Sequence, residues 1–151
     1  MKIKKLLLLA LSLMLVLNLS VAVAEEDDDD NEVDLTSAVI TALSCAKQAE
    51  ESGEFAVLSS CPPHAAFEGI PADKIYTAAP KIVIFDVTEG EFYLVQPNEY
   101  LTYSDLLEGF GGSLDGTGVV VGEKDGIPVL KFEEEVSITP KPKPGFFKGC
   151  L

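Results

Sequence analysis

Arginine is absent from this 151-residue chain, and histidine occurs once, at His64. Lysine alone is left to meet phosphates, and 11 lysines stand against 25 acidic residues. That balance excludes nucleic-acid backbones as partners, because holding them requires clustered cations and counterion release. Docking on anionic lipid is disfavoured for the same reason. With one histidine, any Ser-His-Asp or Cys-His centre would have to be built around His64. The catalytic loops are missing too. The glycine-rich stretch Gly109–Gly118 has no lysine for a phosphate cradle, and Ser113 does not sit in Gly-x-Ser-x-Gly. Asp115-Gly116-Thr117-Gly118 is one residue out of register with the Asp-Thr-Gly of aspartic proteases and has no second copy. The stretch is expected to be a flexible loop. No metal or cofactor is called for by any of these patterns.

What is present begins with a leader. Lys2, Lys4 and Lys5 precede an apolar run, Leu6 to Val16, and Ala22-Val23-Ala24 offers small residues to a signal peptidase. The run is short for a membrane span, which needs about 20 residues, and acids follow it. Cleavage after Ala24 is therefore expected, giving a periplasmic or secreted protein with no stable membrane anchor. Residues 25–151 keep eight lysines and all 25 acids, a formal charge of −17. Cationic partners remain open to such a surface. Eight of the ten residues Glu25–Asp34 are acidic. The block reads as a disordered leader, and it lacks the glycine turn and ligand spacing of an EF-hand loop.

Three cysteines then reach an oxidising compartment: Cys45, Cys61 and Cys150. The preferred pairing is Cys45–Cys61, leaving Cys150 free or bridging to another molecule. The competing arrangements join Cys150 to Cys61 or to Cys45. Cys61-Pro62-Pro63-His64 looks like a Cys-x-x-Cys redox loop with histidine in place of the second cysteine. Cys61 and His64 are thus candidates for redox or metal chemistry, although the resolving thiol is missing.

Leu35–Ser52 is expected to be one helix, with Leu35, Ala38, Val39, Ala42, Cys45, Ala46 and Ala49 on one stripe, capped by Asp34 or Thr36 and ended by Gly53. Lys81–Val87 and Glu91–Gln96 form a hairpin through Thr88-Glu89-Gly90. Ser104–Glu108 makes a helical turn capped by Ser104. Thr117–Gly122 pairs with Ile127–Glu133 across a type I′ Asp125-Gly126 turn, with Pro128 placing the latter strand at an edge or delaying its start. Val136-Ser137-Ile138 is a last short strand. Phe92, Tyr93, Tyr100, Tyr103 and Phe110 are candidates for a groove or for the core, and Glu133-Glu134-Glu135 reads as a solvated strand end.

These readings make an α+β protein: one N-terminal helix on a mostly antiparallel sheet of four to five strands. The domain is residues 35–139, between the acidic leader 25–34 and a Pro/Lys tail 140–151. That outline resembles the globular heads of type IV pilins, but the leader is a cleaved signal and not a retained apolar helix, so no family follows. The expected function is that of a small acidic non-enzymatic protein, a binding, accessory or surface-assembly module whose partner is a protein or a cationic ligand, with Cys150 able to link copies. The alternatives are a thiol-dependent redox protein using Cys61, or a hydrolase using carboxylates.

Overall fold

The structure is a computed structural model and describes residues 31–143. Its architecture follows from one long strand that serves two partners. Strand β1 (Glu32–Ala42) pairs antiparallel with β2 (Ile82–Asp86) through Val39–Ala42 and with β4 (Ser113–Lys124) through Glu32–Val39. Between Leu35 and Ala38 a bulge shifts the register. There Ser37 takes φ 53° and donates its N–H to Asp115 Oδ1 at 2.9 Å, which holds the bend. Strand β3 (Glu91–Val95) pairs antiparallel with β2 and parallel with β5 (Ile127–Phe132), and β5 returns antiparallel to β4. The order β1-β2-β3-β5-β4 closes on β1 as a five-stranded barrel, and the short β6 (Ser137–Thr139) adds to β4. The fold is α+β and mostly antiparallel, as expected, and the sheet closes into a barrel.

The barrel interior is filled by side chains from alternate strand positions. Leu35, Ala38 and Ile40 meet Ile82, Ile84, Tyr93, Val95, Leu114, Leu130 and Phe132. Helix α3 (Tyr103–Glu108), between β3 and β4, adds Leu106 to this cluster. Its cap is Thr102 and not Ser104: the Thr102 side chain accepts from the Asp105 N–H, and the Asp105 carboxylate accepts from the Thr102 N–H.

The expected N-terminal helix is half strand. Helix α1 spans only Leu43–Ser52 and ends at Gly53 in the left-handed conformation. It opens a 39-residue excursion between two paired residues, Ala42 and Ile82. The excursion continues through α2 (Ala56–Ser59) and two short 3₁₀ turns, Pro63–Phe67 and Ala72–Lys74. Ala46, Ala49 and Leu58 from this segment cover the outer face of the barrel, packing on Val83, Phe85, Phe92 and Ile127. Strand β2 is consequently buried on both faces.

Three further expectations are corrected. Glu32–Asp34, placed in the leader, belong to β1, and Asp34 accepts a hydrogen bond from Thr117 at 2.6 Å; residues 25–30 lie outside the described residues. The glycine-rich stretch is not a loop throughout, since β4 starts at Ser113. Gly116 and Gly118 are needed there, because a Cβ would come within 2.9 Å of Val136 and 3.2 Å of Phe132. Pro128 is not on an edge strand. It sits at the start of β5, one residue before the parallel ladder with β3 begins at Val129, so its missing N–H is not required. The second hairpin turns at Asp125-Gly126 with φ 54° and 79°, the type I′ signature.

Tyr93 offers a test of this packing. Burial, then the hydrogen bond to Glu91 Oε2 at 3.2 Å and the charges of Glu91, Asp86 and Glu89, push its phenol up to about 12. A raised folded-state pKa stabilises the protonated form. That contribution is complete below the ordinary tyrosine value of 10.0 and is lost as pH rises through about 12. An alkaline tyrosinate absorbance titration should show a late phase that Tyr93→Phe removes. A titration unchanged by that substitution would place Tyr93 outside the core.

Candidate functional site

Cys45 and Cys61 form a disulfide, the preferred pairing. Cys45 lies on the first turn of α1 and Cys61 follows α2, so the bridge closes the excursion on itself. Both cysteines are nearly buried, with Ala42 and Ala65 around them. His64 is exposed in the 3₁₀ turn opened by Pro63. Cys61-Pro62-Pro63-His64 therefore presents an imidazole to solvent beside a paired cysteine. Among the described residues no three His, Cys, Asp or Glu side chains gather as metal ligands. Cys150 lies outside the described residues.

Most carboxylates lack a compensating cation. Among the described residues the ion pair is Lys131–Glu133, at 3.1 Å on the surface. Three clefts gather several of the others. One of about 390 Å³, between α1 and the β4–β5 turn, sets Lys47 among Glu50, Glu91 and Asp125. Another, beside Tyr93, is lined by Glu32, Asp34, Asp86 and Glu89 and has no lysine; there Asp86 already accepts from the N–H groups of Thr88 and Glu89, and Asp34 from the Thr117 hydroxyl.

The third cleft, about 460 Å³, is lined by Glu99, Tyr100, Leu101, Asp105, Glu135, Val136 and Ile138, with no lysine. Asn98, just before the lining residues, fixes one wall. Its side-chain oxygen accepts from the N–H groups of Tyr100 and Leu101 at 3.0 and 3.2 Å, and its amide nitrogen donates to the Phe132 carbonyl of β5. The link from β3 to α3 is thereby tied to the barrel, leaving Leu101 buried and Tyr100 38% exposed. The opposite wall is the β5–β6 link and β6. It approaches closely because Gly109 and Gly116 stand where a Cβ would come within 2.6 Å of Ile138 and 2.9 Å of Val136. Three carboxylates thus rim an apolar floor. The Thr102 hydroxyl, then its N–H, hold the Asp105 carboxyl below the usual carboxylate range, so this rim charge persists into mild acid.

The sequence marks Tyr100 as a groove candidate and Glu135 as a solvated strand end; the structure brings the two together. Of the other aromatic candidates, Phe92 and Tyr93 are buried, and Tyr103 and Phe110 are half-buried. Pro97-Asn98, a turn-favouring pair that the sequence reading did not single out, is the local signal that could have marked a shaped link. The juxtaposition with Glu135 and Ile138 arises from barrel closure, which no short-range pattern encodes. No helix among the described residues is long and apolar enough to cross a membrane. No protein-family model, curated protein or solved structure matches this chain significantly.

Proposed function

We propose that this is an exported, non-enzymatic binding module that recognises a cationic partner through the Glu99–Ile138 cleft. The observation that carries the reading is the cleft's composition: three carboxylates, no cation, and an apolar floor with an exposed aromatic ring. A lysine-rich segment with apolar side chains fits that chemistry, its ammonium groups at the rim and its apolar groups on the half-buried Val136 and Ile138 and the Tyr100 ring. The barrel's connectivity is that of a five-stranded Greek-key barrel, the architecture in which oligonucleotide- and oligosaccharide-binding proteins use the outer face of strands two and three. The likeness is one of architecture alone. Here α1 and α2 cover that face, which moves the candidate surface to the opposite connections. The disulfide supports the exported location.

A fluorescent octalysine peptide tests the reading. It should bind residues 25–151, with affinity falling as salt is raised, while an octaglutamate peptide should not bind. Glu99→Gln with Glu135→Gln should weaken octalysine binding by about tenfold. Absence of binding, or binding indifferent to those substitutions, would overturn it.

A further inference from the structure

The distribution of charge along the chain points to a specific occupant for the cleft. All 25 acidic residues lie between Glu25 and Glu135, and none follows. Three of the eight lysines outside the leader, Lys141, Lys143 and Lys148, fall in the last 11 residues, with Phe146 and Phe147 among them. The body is an acid and the tail is a base carrying two aromatic rings. We propose that the C-terminal segment Lys143–Leu151 of one copy docks in the Glu99–Ile138 cleft of a second copy; this rests on the reading of the cleft as a cation-binding surface.

Complementarity is specific at the level of residue types. Lys143 and Lys148 flank Phe146-Phe147, as the rim carboxylates Glu99, Asp105 and Glu135 flank the half-buried Val136 and Ile138. A second copy is favoured by the way the chain leaves its own cleft. Ile138 lines it, but Lys141 then packs on Gly111 and donates from Nζ to the Ser59 carbonyl at the end of α2, at 2.7 Å. Returning would require a reversal directly after Lys141, where Pro142 restricts φ to about −65°. Tail and cleft are different surfaces, so reciprocal exchange gives a closed dimer and one-way docking an open row.

Sedimentation velocity on residues 25–151 carrying Cys150→Ser tests this, since Cys45–Cys61 stays intact and no intermolecular disulfide can form. Concentration-dependent association is expected. Phe146→Ala with Phe147→Ala should abolish it, and Lys143→Gln with Lys148→Gln, or Glu99→Gln with Glu135→Gln, should each weaken it about tenfold. Removing the same two charges at Glu50 and Glu91 should leave it unchanged. A monomer at every concentration, association that survives the tail substitutions, or equal loss from Glu50→Gln with Glu91→Gln would overturn the proposal. If octalysine still binds while self-association is absent, the tail is not the partner and the cleft keeps its proposed role. If octalysine also fails to bind, the reading of the cleft falls with it.

Discussion

Phe85→Ala should destabilise the protein by about 3–5 kcal/mol, the range for truncating a fully buried phenylalanine. The ring is fully buried on the outer face of β2, edge-on to Phe55 at 5.2 Å and stacked on Phe92 at 6.3 Å. Ala46 and Ala49 on α1, packed in the same cluster, carry only methyl groups, which have no rotamer that could reach into the space. The cavity would therefore persist, and the cost should lie toward the upper end. Phe55→Ala removes only a ring that is 39% exposed and should cost far less. Urea midpoints of the two variants make the comparison. If they fall equally, the helical cover is not part of the cooperative core.

Cys45→Ala with Cys61→Ala should cost roughly 3 kcal/mol, as expected for a bridge spanning 16 residues in the chain-entropy account. The bridge ties the start of α1 to the chain after α2, and both helices contribute apolar residues to the cover. Without it the denatured excursion regains freedom that folding must remove. Denaturation of the parent chain in reductant should approach that of the double variant. A parent midpoint indifferent to reductant, with both thiols titrating as free, would show that the bridge is absent.

Where the sequence misled, local chemistry was ambiguous or the partner was remote. The stripe Leu35, Ala38, Val39, Ala42 has helical spacing because the bulge at Ser37 inserts one residue into a strand. Leu35, Ala38 and Ile40 all face the barrel interior, and the step of three across the bulge imitates a helical step. Asp34 was grouped with the acids before it by composition, while its hydrogen-bond partner, Thr117, lies far along the chain. Gly116 and Gly118 signalled a loop, yet their lack of side chains admits Val136 and Phe132. By contrast Asp125-Gly126 was legible, because positive φ at two successive residues restricts the choice of side chain. Cys45–Cys61 was legible because only a short loop separates the two cysteines. The cleft was not, because its walls meet only when β5 and β6 return past the link between β3 and α3.

Barrel closure also sets the order in which the chain can fold. Strand β1 completes the barrel against β4, a partner roughly 80 residues further along, so the first strand synthesised has its last ladder made late. Until then it offers an apolar, unpaired edge to the same strand of other chains, the exposure from which aggregates grow. The acids of Glu25–Asp34 stand immediately before and within this strand. Like charge beside a strand edge opposes its pairing with the same edge of another copy.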